Sequence, residues 1–550
     1  MAIWKYNVVH KLSERWLLIA INTIAGVSIF FFGYDQGMMS GVNNSPDYVA
    51  HMNFGYAEDD GTVVVTNSTR QGGIVAIYYF GTLLGSLLGG VLGDRLGRIK
   101  SIGIGCVWAI VGAALQCSAH NVAWMCCARI VNGVGTGVLN TIVPVYGAET
   151  ADYKSRGQFI AMEFTLNIFG VVAAYWLEYG LSYIDGGFSA FRWRFSIAFQ
   201  IIPLVFLLSA VWFFPESPRW LIKNGQNEDA KYILTKLRGT ATDEAEIEYR
   251  DIVEIIEYER KTASRNSYLH MFFGIGSGDL HLGRRVQLVI WLQILQEWTG
   301  IAGVTVYQPT IFANAGFSTR KASWLSGVNN IFYMFSTLIN AFTVDRIGRR
   351  WTMYWGAVGQ GVAMFLAGGF SRLQIEHPEN SAYGAAAASF VFIYTSVFGA
   401  TWLIVPWLYP TEVFPLEVRA KGNAFGVFGW SIGNGWLTLL CPIMFDHIGE
   451  KTLYIFGAFN VFAVFVVWAF YPETSQLTLE EIDVLFSHPS PFVWKSRKLM
   501  KELRSKHDSK RVGAVLDREL GVSKQSYGET EDAVEMTATG VDTSSTTSKR

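Results

Sequence analysis

What most limits the fold of this chain is a recurring run of apolar sequence. Stretches of about 20 residues, each long enough to cross a hydrocarbon layer ~30 Å thick, fill most of its length. The first runs from Trp16 to about Met39, and five more lie near 72–93, 101–119, 123–147, 158–181 and 195–214. A polar stretch from about 215 to 284 follows, and then a second set near 286–312, 323–344, 352–370, 383–409, 422–445 and 452–471. Runs of this length in lipid must satisfy their own backbone polar groups, which helices do. The expected fold is all-α, with twelve transmembrane helices in two six-helix bundles and short amphipathic helices between them. The first run follows Lys5, Lys11 and Arg15 as a signal peptide would, but its length and the lack of a cleavage site make it a retained helix.

Composition agrees. Only 16% of residues are charged and 51% are hydrophobic, against about 25% charged in soluble domains. The 55 glycines suit close helix packing in a bilayer, the expected surrounding partner. A net charge of -1 makes no case for nucleic acid, and the cysteines lack metal-ligand spacing, so no metal or cofactor is expected. No nucleophile–base pair or phosphate loop suggests an enzyme.

An even number of spans places both termini on one side. The short loops carrying Arg95, Arg98 and Lys100, then Lys154 and Arg156, then Arg346, Arg349 and Arg350, then Arg419 and Lys421 mark that side as cytoplasmic. The expected units are a cytoplasmic N-terminus (1–15), a first bundle (16–214), a linker (215–284), a second bundle (285–472) and a cytoplasmic tail (473–550). Within the linker, Ala230, Ile233, Leu234 and Leu237 are spaced as the apolar face of a short helix. Beyond about Ser487 the tail turns polar, and disorder is expected there. The first outer loop holds two glycosylation tripeptides, at Asn43 and Asn67, and Asn67 is the candidate acceptor.

The charged signatures are duplicated. Asp94-Arg95-Leu96-Gly97-Arg98 recurs as Asp345-Arg346-Ile347-Gly348-Arg349. Glu149 precedes Arg156 as Glu412 precedes Arg419, and Pro215-Glu216-Ser217 recurs as Pro472-Glu473-Thr474. The offsets of 251, 263 and 257 residues keep the order of an internal repeat. Interfacial anchoring explains the arginines but not the acids. Asp94, Arg95, Arg98, Glu149, Arg156, Glu216, Asp345, Arg346, Arg349, Glu412, Arg419 and Glu473 are therefore expected to form ion-pair networks that hold the cytoplasmic ends together as a gate.

Further motifs lie at matching helix ends: Gly33-Tyr34-Asp35, Gly90 to Arg98, Pro215 to Leu221, Gln296 to Tyr307, Trp407 to Glu412, and Pro472-Glu473-Thr474 followed by Thr478 to Glu481. On these the chain resembles the sugar porter branch of the major facilitator superfamily, most closely its fungal members, over about residues 15–486. The resemblance implies two six-helix bundles that rock about a central site in the plasma membrane.

Asp35 ends an apolar run, where an ionised carboxylate costs at least about 2.5 kcal/mol unless paired or hydrated. Arg129, in the fourth span, is a second charge with no soluble reason to be there, and a buried acid with a basic partner can switch between paired and protonated states. In proton-coupled relatives the matching acid takes the proton, so the resemblance points to proton symport. A neutral polyol needs hydrogen-bonding side chains and flat aromatic faces. The candidates are Asn167, Gln296, Glu297, Tyr307, Asn329, Trp407 and Asn434, and each could instead make a helix-to-helix contact. The resemblance singles out Gln296, Asn329, Trp407 and Asn434. Departures from it point away from a standard hexose pocket: Glu297 stands where a second Gln is usual, Ala302 where Asn is, Phe164 where Gln is, and Leu403-Ile404 where Gly-Pro is. Glu163 or Glu297 could join Asp35 in handling protons. The expected function is import of a neutral pentose or hexose with a proton, by a chain acting as a monomer. The alternatives are a facilitative uniporter, a disaccharide or other polyol transporter, and a nontransporting sugar sensor.

Overall fold

The computed structural model describes residues 12–495 apart from 13, 59–60, 151–155, 239–244, 247, 251, 254–255, 257–267, 276–280, 415–417, 476, 478–481, 483–484 and 487–489. The side chains of 14, 156–161, 341 and 419–420 are also outside the description, so the expectations for Arg156, Arg419 and the polar tail cannot be compared with it.

A helix, straight or broken, occupies each apolar stretch. We number them α1 (Glu14–Val42), α2 (Ser68–Leu96), α3 (Arg98–Cys117), α4 (Val122–Thr150), α5 (Arg156–Leu181), α6 (Ala190–Phe199 and Ile201–Val211), α7 (Leu282–Gln296, Glu297–Ile301 and Ala302–Asn314), α8 (Thr319–Ile347), α9 (Arg349–Glu376), α10 (Ser381–Thr401 and Val405–Val413), α11 (Arg419–Ile448) and α12 (Lys451–Phe470). Among the described residues, eight helical spans are long and apolar enough to cross a membrane on length and composition alone. Their outer faces fit that surrounding: on α8, Phe332, Phe335, Leu338, Ile339 and Phe342 are all exposed at three- and four-residue spacing, a stripe that only lipid would cover.

The packing repeats as the sequence does. In the first half α1 lies on α5, α2 on α4, and α3 on α4 and α6. In the second, α7 lies on α11, α8 on α10, and α9 on α10 and α12. Between the halves, α2 meets α11 and α5 meets α8, each pair the image of the other under the repeat. Close approach needs small residues. A Cβ on Gly33 of α1 would lie 1.8 Å from the carbonyl oxygen of Asn167 on α5, which gives a physical reason for the glycine of Gly33-Tyr34-Asp35.

Two helices are broken where hydropathy expects continuity. In α7 a π turn spans Glu297–Ile301, with Gly300 at φ 118°. In α10 the chain turns at Trp402–Ile404 before Pro406. Neither Pro406 nor Pro410 has an N–H, so the carbonyls four residues earlier, those of Trp402 and Pro406, lose their helical donor. Two glutamines one turn apart on α7 replace those donors. Gln296 donates to Trp402 (2.9 Å) and Leu403 (3.1 Å), and Gln293 donates to Pro406 (3.1 Å). The break in α10 is thereby clamped to α7.

Outside the bundles lies a small antiparallel hairpin (Gly55–Ala57 with Val63–Val65), and Thr62 at its turn hydrogen-bonds Thr319 of α8 (3.1 Å). In the linker, helix Asn227–Arg238 buries Ala230, Ile233, Leu234 and Leu237, the apolar face that its spacing marks.

Candidate transport site

At the centre, between the halves, lies a cavity of about 40 Å³. The breaks in α7 and α10 put Gln296, Glu297 and Trp407 on its wall, α11 adds Asn434, and α5 adds Asn167. Five of the seven expected substrate residues thus come together. Tyr307 and Asn329 do not line it. The Tyr307 hydroxyl donates to the Thr438 carbonyl (3.0 Å) and the residue lines a separate outer cavity of about 260 Å³, while Asn329 accepts from Thr395 of α10 (2.8 Å). For both, the helix-to-helix contact is what the structure realises.

Sequence reasoning missed other parts of the wall: Phe32 and Gln36 of α1, Tyr79 of α2 and Trp430 of α11. Trp430 packs edge-on against Phe32 (5.2 Å between ring centroids) and Tyr79 (5.4 Å), and tilted against Trp407 (6.0 Å), so the aromatic surface is a connected cluster. Gln36, a polar residue beside Asp35 in an apolar run, was the available signal.

Asp35 and Arg129 are both buried in the first half. They face one another across Tyr78: the Arg129 guanidinium stands over the Tyr78 ring, 5.0 Å from its centroid, and the charge of Arg129 and the Tyr78 hydroxyl are the groups acting on Asp35. Arg129 itself donates long bonds to Gln116 and to the Val75 carbonyl (3.4 Å each). Both Asp35 oxygens are buried without a hydrogen bond of ordinary geometry. Tyr78 and Tyr79 are neighbours on α2, one turned to this pair and the other to the central cavity.

At the end that the sequence marks as cytoplasmic, the two halves repeat one arrangement. Arg98 pairs with Glu149 (2.7 Å) and Asp94 (3.8 Å), and Arg349 pairs with Glu412 (2.7 Å) and Asp345 (2.8 Å). Glu216 accepts from the first two backbone N–H groups of α3 (2.8 and 3.3 Å), and Glu473 from those of α9 (2.8 and 3.1 Å), each carboxylate at a helix N-terminus that favours negative charge. Burial pushes the Glu216 carboxyl up from the ordinary range, against the pull of those N–H bonds and of Arg98. The glycine before each helix is needed: Gly97 and Gly348 have φ of 94° and 93°, and a Cβ would lie 2.4 and 2.5 Å from the captured carboxylate. Arg95 and Arg346 are exposed. The pairs made by Arg98 and Arg349 close inside their own halves, while Arg156 and Arg419, the other arginines of the expected gate, lie outside the described side chains.

The family model described as "Sugar (and other) transporter" matches residues 21–486. The chain belongs to this sugar transporter family. It is 31% identical over 535 residues to the MFS-type transporter oryC of Aspergillus oryzae, covering 95% of this chain and 97% of that one. It is also 31% identical over 476 residues to the sugar transporter STL1 of Saccharomyces cerevisiae, covering 85% and 81%. Among solved structures, the proton:xylose symporter XylE bound to 6-bromo-6-deoxy-D-glucose is similar with a TM-score of 0.72 at 26% identity, over 86% of this chain and all of that one. The fold is therefore that of the major facilitator superfamily, and this sugar transporter is an integral membrane transporter rather than an enzyme.

Proposed function

We propose that this chain imports a neutral monosaccharide, a pentose or hexose, together with a proton across the plasma membrane by alternating access. One observation carries the reading: a buried acid and a buried arginine face each other across Tyr78 without closing an ion pair, one residue along α2 from the wall of a cavity built of amides and aromatic rings. Such an acid can gain or lose a proton as the sugar site fills, and coupling needs only that proton and sugar favour the same state. The similarity to a proton:xylose symporter supports the same reading. The acid–arginine clusters stiffen the cytoplasmic ends that must part for release, with both termini and the tail on that side and the monomer as the working unit.

The test is uptake of labelled pentoses, hexoses and disaccharides by cells lacking their own carriers, with and without a protonophore. Protonophore-sensitive accumulation of a monosaccharide is expected. Uptake indifferent to the protonophore would leave a uniporter, and no uptake of any sugar would sink the reading.

The orientation has its own check. Asn67 is exposed at the start of α2, whereas Asn43 is buried at the end of α1. In a glycosylating host Asn67→Gln is expected to abolish an endoglycosidase-sensitive mobility shift that Asn43→Gln leaves in place. Absence of any such shift in the wild type would count against the assignment of this loop to the outside.

A further inference from the structure

Three amides on the wall of the central cavity spend N–H groups on the protein itself. Gln296 spends both N–H groups on the carbonyls of Trp402 and Leu403, leaving its buried Oε1 without a partner. Asn434 donates to the Trp430 carbonyl (3.4 Å) and to Glu297, and Asn167 donates to the Ile29 carbonyl (3.4 Å). The amides therefore turn mainly acceptors toward the cavity. A sugar hydroxyl is both donor and acceptor, and these amide oxygens meet only its donor side.

Glu297 sits among them on the π turn of α7, buried and on the cavity wall. No cation faces it among the described residues. Its neighbours are Asn434 and Trp430 of α11, with the phenols of Tyr79 on α2, Tyr333 on α8 and Tyr394 on α10 around it. From α12 the same turn meets Phe456 and Asn460, neither of which carries a charge. Asp35 and Arg129 act on the far side of Tyr79. A buried carboxylate with no counter-charge avoids its desolvation cost by holding a proton, and a protonated carboxyl is a donor.

We propose that Glu297 works as the un-ionised acid in the sugar cavity, its O–H supplying the donor that the neighbouring amides cannot, so that the site selects a neutral polyol with an acceptor oxygen facing Glu297. This rests on the sugar-transport reading and adds a second proton-bearing residue, one that touches the substrate and is separate from Asp35.

The experiment measures binding of radiolabelled D-xylose and D-glucose to the purified full chain in lipid nanodiscs, from acid to alkaline pH. It compares wild type, Asp35→Asn, Asp35→Asn with Glu297→Gln, and Asp35→Asn with Glu297→Ala. With Asp35 silenced, affinity should still fall on the alkaline side, by up to about tenfold per pH unit. Adding Glu297→Gln should flatten that limb at the cost of about threefold weaker binding in acid, and adding Glu297→Ala should weaken binding about tenfold at every pH. An Asp35→Asn chain already flat with pH overturns the proposal, as does a slope that survives Glu297→Gln. A second readout is spectroscopic: sugar binding should shift a protonated-carboxyl infrared band in Asp35→Asn, and the same shift in Asp35→Asn with Glu297→Gln overturns the proposal. Failure of the wild type to bind either sugar removes the sugar reading itself, and this inference with it.

Discussion

On the symport reading, replacing Asp35 by Asn should yield a chain that exchanges labelled sugar across the membrane but no longer accumulates it. The amide keeps the shape of the protonated acid and cannot release a proton, so the cycle loses the charge that the membrane potential drives. One charge moved through 100 mV supplies about 2.3 kcal/mol, enough for roughly fifty-fold accumulation, and in the variant the ratio should fall to about one. Asp35 is buried, with Tyr78 and Arg129 on the faces that matter, so the substitution disturbs no hydrogen bond of ordinary geometry. Counterflow in proteoliposomes and accumulation in cells separate the two activities. Protonophore-sensitive accumulation by the Asn variant would remove Asp35 from the coupling role.

The second large effect is on stability. Arg98→Ala leaves the Glu149 carboxylate, 11% exposed, without its bidentate partner, and removal of one member of such a buried pair costs about 3–5 kcal/mol. Arg349→Ala does the same to Glu412, although Thr474 still donates to that carboxylate (2.6 Å) and should soften the loss. Because each pair closes inside its own half, the two losses should add within about 0.5 kcal/mol, as independent sites do. Thermal unfolding of the purified variants in detergent measures both. A chain carrying both substitutions that is far more stable than the sum would mean that the halves share these charges after all.

How much of this was legible beforehand differs by element. The spans and their duplication could be read because hydropathy and charge order are local properties of the sequence. The breaks in α7 and α10 could not, since a window that averages hydropathy passes over a π turn at Glu297–Ile301, and the two prolines four residues apart gain their meaning only when Gln293 and Gln296 come alongside. Those glutamines show why site residues are harder to read than spans: a polar side chain in a spanning helix can serve a substrate or a neighbouring backbone, and Gln296 does the second while facing the cavity. For Tyr307 and Asn329 residue type suggested a substrate role and the fold gives them helix partners instead. Tyr79 and Trp430 went unnoticed because an aromatic ring on a cavity wall and one facing lipid look alike in sequence.

The surface shared by the halves has a mechanical consequence. Thr82 of α2 meets Ser431 of α11 (2.9 Å), and at the image position Thr165 of α5 meets Thr337 of α8 (3.1 Å). Thr82, Ser431 and Thr337 also lean on carbonyls of their own helices, those of Tyr79, Val427 and Met334. When the halves part at either pair, no group is stranded, and each contact surrendered is worth only about 1 kcal/mol. Such a seam behaves as a bearing: at these pairs its two faces touch and share little load, so the work of a transport cycle is left to what binds between them.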